Sequence, residues 1–166
     1  MIRLAGSKCP LCGLQVTDGE PTRSFRPFIS NSMSPLLVFS DSTCHVACVR
    51  DHPFGDLAVS IEEATRNAYR PDNRICRICS LVISEPADYF GLGFLTDVTG
   101  LKASKFNLFQ AHLSCLRDWE ETPGLVDALR ELDASDHWGG DALQDPLRLL
   151  NAGDAPTEHS PGPSSA

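Results

Sequence analysis

Cys9-Pro-Leu-Cys12 and His45-Val-Ala-Cys48 are the two stretches that decide the fold of this chain, because both return later in the sequence. The first recurs as Cys76-Arg-Ile-Cys79 and the second as His112-Leu-Ser-Cys115, with the same displacement along the chain. The segment between the second cysteine and the histidine also keeps its length, since it covers 13–44 in one copy and 80–111 in the other. Agreement at this many positions without insertion or deletion indicates a tandem duplication.

The duplication sets the predicted domain organisation. Module one is expected at residues 1–70 and module two at 71–138, and the junction between them is too short for a flexible linker. We therefore expect the modules to pack on one another. Residues 139–150 fall outside the repeat and are predicted to form a docking turn. Residues 151–166 are rich in Pro, Gly, Ser and Ala, which is typical of a disordered tail.

The repeated cysteines and histidines have the spacing of metal ligands. Cysteines clustered in pairs favour metal binding over disulfides in a reducing compartment. Three cysteines and one histidine complete a tetrahedron around Zn²⁺ and leave no open position, as in structural rather than catalytic sites. We predict two structural Zn²⁺ ions per chain, held by these eight ligands: Cys9, Cys12, His45, Cys48, Cys76, Cys79, His112 and Cys115.

Cys44 is the one cysteine outside this pattern. Its counterpart in the second copy is Ala111, so the duplicated site forms without a thiol at this position. One interpretation is a small semi-buried residue. The other is that Cys44 replaces His45 as the fourth ligand, and the sequence leaves this alternative open.

Local patterns predict the elements around each site. Aromatic and β-branched runs at 24–29 and 36–39, and at 89–95 and 105–109, indicate a β-hairpin in each copy, with turns at 30–35 and 97–100. The H-x-x-C pair reads as the first turn of a helix, because residues i and i+3 share a face.

Helix caps are predicted from the residues that precede each helix. Asp41, Ser42 and Thr43 are candidates before the first. A second helix is expected in each module, at 60–69 behind a capping box and from Thr122 to Asp133.

The order of knuckle, hairpin and ligand-bearing helix resembles the treble-clef zinc-finger superfamily, over residues 8–52 and 75–119. The resemblance is carried by the C-x-x-C and H-x-x-C motifs. It implies a small α+β fold of two tandem treble-clef-like zinc modules, each followed by a second helix.

Charge and composition narrow the functional classes. The net charge is −8, with seven basic and seven acidic residues in 1–70 but six against eleven in 71–138. This excess of acidic residues disfavours a general polyanion binder and suits a partner with a basic surface.

No catalytic constellation is visible, so we predict that the chain is not an enzyme. No run of about 18 apolar residues and no signal peptide is visible, so we expect a cytoplasmic protein without membrane contact.

Two functions follow as hypotheses. The first is a protein-binding module that blocks a partner, similar to bacterial immunity proteins or antitoxins acting on a toxin. The alternative is a nucleic-acid-binding zinc-finger regulator. Its candidate contacts are basic residues of module one and the junction: Arg3, Lys8, Arg23, Arg26, Arg70, Arg74 and Arg77.

Overall fold

The computed structural model describes residues 7–152, and it repeats one arrangement of short elements twice. The bounds of the first set are β1 (Thr22–Ser24), β2 (Thr43–His45), α1 (Val46–Asp51) and α2 (Gly55–Ala68). The second set is β3 (Tyr89–Gly91), β4 (Gln110–His112), α3 (Leu113–Arg117) and α4 (Thr122–Asp133), followed by α5 (Gln144–Ala152). The protein is therefore a small α+β structure with two antiparallel hairpins.

The second strand of each hairpin lies nearer along the chain to the candidate ligand histidine than the sequence predicted. β1 pairs with β2 and β3 with β4 over three residues each, and in both the ligand histidine ends the second strand. The predicted run at 89–95 begins with the paired strand β3, and the run at 24–29 begins at the last residue of β1. The runs at 36–39 and 105–109 are not paired strands, and they contain or overlap the 3-10 turns Leu37–Phe39 and Lys102–Phe106. The second strand of each hairpin was therefore predicted too early in the chain, because apolar residues such as Phe39 turn into the module core instead of lining a ladder.

A side-chain clamp replaces ladder hydrogen bonds beyond these strands. The Ser40 hydroxyl accepts hydrogen bonds from the backbone N–H groups of Phe28 and Ile29, at 3.0 and 3.2 Å. At the equivalent position of module two, the Asn107 amide oxygen accepts from Leu95 and Thr96 at 2.8 and 3.1 Å. Two different side chains thus satisfy the same buried backbone donors, as a bent chain segment requires.

The second helix of each module begins at equivalent residues. α2 starts at Gly55, well before the predicted capping box, so Ser60 lies inside the helix. A Cβ at Gly55 would overlap the backbone carbonyl of Val49, so this contact with α1 requires glycine. In module two, Thr122 occupies the corresponding place, and its hydroxyl donates to the Leu116 carbonyl at 2.6 Å.

The predicted caps of the first helix are not formed. His45 is the N-cap residue of α1, with extended backbone and no side-chain cap hydrogen bond. The Ser42 hydroxyl instead donates to the Phe39 carbonyl at 2.6 Å, and Thr43 lies in β2.

Each module has its own apolar core. Phe25, Leu36 and Phe39 are central to the first, and Phe90, Leu125 and Leu129 to the second. The predicted docking turn is longer than expected, because α5 is a nine-residue helix. Its apolar side, together with the residues before it, is buried in the second core through Trp138, Leu143, Leu147 and Leu150.

The two modules contact each other through a backbone bridge and through the side chain of one buried asparagine. Ile29 forms a parallel bridge with Phe94, whose ring packs on the first core. The buried Asn31 side chain donates to the His137 carbonyl at 2.8 Å and accepts from the Gly139 N–H at 3.0 Å. The end of module two and the residue that follows it therefore contact module one. None of the helices in residues 7–152 has the length and apolar character needed to cross a bilayer.

Candidate metal centres

The two C-x-x-C stretches form knuckle turns of one geometry. In the first, the Gly13 N–H donates to the Cys9 carbonyl and the Cys9 N–H donates to the Leu14 carbonyl, both at 2.8 Å. The second knuckle repeats both hydrogen bonds at the equivalent residues, at 2.9 and 2.8 Å. Gly13 has φ of 74°, and its counterpart Ser80 adopts φ of 61°, the left-handed region that glycine tolerates best. This turn aims both thiols of a knuckle to one side.

The strand-to-helix junction supplies the other two candidate ligands. His45 ends β2, and Cys48 lies in the first turn of α1. His112 ends β4, and Cys115 lies in α3. The left-handed residues Asp41 and Leu108 precede these second strands at equivalent positions, with φ of 54° and 53°. The prediction that the H-x-x-C pair opens a helix needs one change, since the histidine is the residue that caps it.

All eight sequence-predicted residues are brought together, in two groups of four. Within each group the candidate ligand atoms lie within 4.8 Å of one another. The first knuckle cysteine of each group is fully buried, and the second is exposed. The groups are Cys9, Cys12, His45 and Cys48, and Cys76, Cys79, His112 and Cys115.

The separations fit a single tetrahedral ion. Bonds of about 2.3 Å to sulfur and about 2.0 Å to nitrogen place the two ligand atoms ~3.6 Å apart at a tetrahedral angle. The His45 Nδ1 atom lies 3.4 Å from Cys12 Sγ and 3.9 Å from Cys48 Sγ. His112 Nδ1 lies 3.4 and 3.7 Å from the corresponding sulfurs. Each group can therefore hold a metal ion.

Thiol pKa values within a group diverge. Burial alone raises the pKa of Cys9, but backbone N–H groups of the ligand histidine and of the knuckle donate to the sulfur and lower that pKa to about 6. Cys76 has the same balance, with a pKa of about 6. Burial, followed by the neighbouring thiols, raises the pKa of Cys48 to about 11 and that of Cys115 to about 12. Binding of a dication must displace the protons that these last thiols retain.

The two histidines have different neighbours. Glu20 Oε2 lies 3.3 Å from His45 Nε2, an ion-pair distance, although the two atoms are not aligned as a hydrogen bond. Glu20 is itself held by the Thr17 hydroxyl at 2.8 Å. The position equivalent to Glu20 is Ala87, so His112 lacks this carboxylate. Sequence reasoning missed Glu20 because it has no repeat counterpart, and its signal was the local Thr17-x-x-Glu20 pattern.

Cys44 lies beside the first metal group, where its thiol interacts with Cys9 and Cys12, but it is not one of the four candidate ligands. It is buried in β2 and its sulfur lies 3.4 Å from the Ser42 hydroxyl. Burial raises the pKa of this thiol, which favours the neutral form. The group of four is completed by His45 rather than by Cys44, which supports the first interpretation of this cysteine.

Three of the basic residues suggested for nucleic acid contact other side chains of the protein. Arg23 contacts Glu63 at 2.9 Å, the Arg74 guanidinium lies over the Tyr89 ring, and Arg77 lies over the Phe109 ring. These three are engaged within the protein. Lys8, Arg26 and Arg70 lie elsewhere on module one, and Arg3 falls outside the described residues.

Comparisons of the chain with protein-family models, with curated proteins and with solved structures find no match. The treble-clef resemblance therefore rests on the motifs and on the order of elements around each group. The metal assignment rests on the geometry of the two groups.

Proposed function

We propose that this chain is a non-enzymatic protein-binding protein whose two modules are each held in shape by a structural Zn²⁺ ion. The observation that carries the proposal is the pair of closed Cys₃His groups. Three thiolates and one imidazole saturate tetrahedral zinc, so no position remains for a substrate or an activated water. The metal then serves the fold, and the function belongs to the surfaces that the fold presents.

Zinc is the ion that best suits these donors. Thiolate with imidazole selects zinc over the hard cations Ca²⁺ and Mg²⁺, which take oxygen ligands. Three thiolates and a neutral imidazole leave a net charge of −1 on each occupied group. Two occupied groups would make an already acidic protein more acidic, which favours a partner with a basic surface.

An acidic face on module two is the proposed docking surface. We define this face as Asp118, Glu120, Glu121 and Asp127, all of them exposed. Two adjoining grooves of about 380 and 400 Å³ run along it and share Asp118, Glu120 and the half-buried Trp119. Carboxylates around an aromatic ring offer a basic partner both electrostatic steering and an apolar contact.

The mode of action that follows is inhibition by occlusion. A rigid acidic protein that covers a basic active site blocks it without any chemistry of its own. This is how an immunity protein or antitoxin neutralises a toxin, and we propose that this chain acts in that way. A cytoplasmic site of action belongs to the same proposal.

The test is retention of a partner by the immobilised, zinc-loaded protein from an extract of the source cells. Charge reversal at the acidic face, Glu120→Lys with Asp127→Lys, is expected to abolish retention or weaken it by roughly a hundredfold, because close charge pairs at such interfaces contribute several kcal/mol. The matched control, Glu85→Lys with Asp97→Lys, changes the net charge equally at exposed residues of the same module. Equal retention by both variants would contradict the proposed surface.

A further inference from the structure

The basic side chains that have no partner within the described part of the protein all lie on one module. Among residues 7–152, four basic side chains make no ion pair, side-chain hydrogen bond, ring contact or other electrostatic interaction: Lys8, Arg26, Arg66 and Arg70. All four belong to module one. Basic residues elsewhere are engaged, as Lys102 is with Glu131 at 2.8 Å and as Arg117 is, through its charge, with Asp88. Module one thus carries the unpaired basic side chains, whereas module two carries the acidic face.

These four side chains line two adjoining grooves. Arg26, Arg66 and Arg70 border a groove of about 670 Å³, and Lys8, Arg26 and Arg66 border a second of about 870 Å³. The grooves share four lining residues, Arg26, Pro27, Glu62 and Arg66, so they adjoin each other. We call this feature the basic cleft, defined by its four basic residues.

The fold keeps the basic cleft open. Arg66 lies in the last turn of α2 and Arg70 follows shortly after the end of that helix, and both border the same groove. Arg26 reaches the same place from the segment after β1. Two carboxylates of the lining, those of Glu62 and Glu63, lie 3.6 and 2.9 Å from the Arg23 guanidinium. Because Arg23 engages them, they do not pair with the cleft arginines.

One further polar group in the basic cleft has no partner. Thr65 lines the 670 Å³ groove and is 7% exposed, yet its hydroxyl makes no hydrogen bond. A buried hydroxyl without a partner costs free energy. Since the Thr65 hydroxyl oxygen is itself buried, the groups that the groove presents to a ligand are the guanidinium groups.

We propose that the basic cleft binds an acidic peptide segment. Guanidinium groups take carboxylates in bidentate geometry, and an extended cleft of two grooves suits an extended chain. The lining also contains carboxylates, including Asp41 and Glu62, which would repel the continuous charge of a phosphate backbone. Of the three aromatic rings in the lining, Phe25 and Phe28 are 4% and 6% exposed, which leaves only Tyr69 for base stacking, whereas a strand of bases stacks on successive rings. This site lies on the other module from the acidic face, so its failure would leave the proposed function standing.

Fluorescence anisotropy of a labelled peptide of alternating Asp and Ser, titrated with the zinc-loaded full chain, tests the proposal. We expect binding at low ionic strength that weakens steeply with salt. Arg26→Gln and Arg66→Gln should each weaken it by roughly fivefold or more. The control Arg148→Gln removes an exposed arginine of α5 that pairs with Asp145, and it should leave binding unchanged.

Two comparison probes make the result decisive. A Lys-Ser peptide should not bind, and a single-stranded thymidine oligonucleotide of similar charge should bind more weakly than the acidic peptide. No binding of the acidic peptide, or equal effects of the cleft and control variants, would overturn the proposal. Tighter binding of the oligonucleotide would also overturn it and would favour the nucleic-acid alternative.

Discussion

His45 and His112 occupy equivalent places, yet only His45 has a carboxylate beside its second ring nitrogen. When Nδ1 binds a metal, Nε2 carries the proton, and an adjacent carboxylate fixes the tautomer and increases the basicity of the ligand. Glu20 is placed to do this at 3.3 Å from Nε2. In module two the nearby Asp88 instead accepts hydrogen bonds from Ser114, both at 2.8 Å. The two groups therefore have the same types of ligand, but only the histidine of the first group has a carboxylate beside its second ring nitrogen.

Replacement of Glu20 by Ala is expected to weaken metal binding at the first group alone. Loss of a carboxylate partner of a ligand histidine costs roughly 10–100-fold in affinity. Competition with a chromophoric chelator should show that the native chain binds its two zinc ions with unequal affinity. In the variant, the affinity of the tighter of the two groups should fall. Glu85→Ala, an exposed carboxylate of module two, is the control. An unchanged release curve would exclude this role for Glu20.

The identity of the fourth ligand gives a second prediction at this scale. His45→Ala should reduce the zinc content from two ions per chain to one, because three thiolates hold zinc less well than four ligands. Cys44→Ala should keep two ions, since this thiol lies outside the group of four. The zinc content per chain, measured after dialysis of each variant, decides whether His45 or Cys44 is the fourth ligand. Loss of an ion only on changing Cys44 would make the four-cysteine alternative correct.

At the scale of the elements, the contact between α1 and α2 depends on the absence of a side chain at Gly55. α2 begins where the Val49 carbonyl approaches, and a Cβ there would overlap it. Module two solves the same contact with a hydroxyl, since Thr122 donates to Leu116. The sequence pattern placed α4 correctly at Thr122–Asp133 but began α2 too late, because a glycine contact of this kind leaves no periodic signal.

Gly55→Ala is expected to destabilise the zinc-loaded protein by about 1–3 kcal/mol, because an added methyl group forces the two helices apart. Gly124→Ala is the matched control: it lies inside α4 with open space around its Cβ position. Alanine in a helix interior is favoured over glycine by up to about 1 kcal/mol, so this change should stabilise. Urea unfolding of both variants measures the two effects, and a stable Gly55 variant would show that the helices can separate freely.

At the scale of the whole molecule, two small cores are joined by few contacts. Asn31 ties the loop of module one to the end of module two and the residue that follows it, and Ile29 pairs with Phe94 across the boundary. Module two is larger in its core because α5 adds to it. Each sheet has only two strands, which are marginally stable on their own in water. The candidate metal groups lie where strand, knuckle and helix meet, so a bound ion would hold these elements together.

Removal of zinc is expected to unfold the chain. Structural zinc contributes roughly 10–16 kcal/mol of apparent free energy in isolated fingers, against a net stability of about 5–15 kcal/mol for a typical domain. Addition of a strong chelator should abolish the cooperative thermal transition followed by circular dichroism, and excess zinc should restore it. A melting curve unchanged after complete zinc removal would contradict the structural role.

The sequence by itself determined the duplication, the two sets of candidate ligands and the order of the elements around them. It could do so because metal ligands need particular residue types at particular spacings, and the repeat displays those spacings twice. Only the tertiary structure decided which residues pair in the hairpins, that Ser40 and Asn107 clamp the bent segments, and that Glu20 meets His45. It alone also separated engaged from unpaired arginines, as with Arg23, whose partner Glu63 lies far along the chain in α2. These features depend on contacts between distant parts of the chain, and no local pattern of residues encodes them.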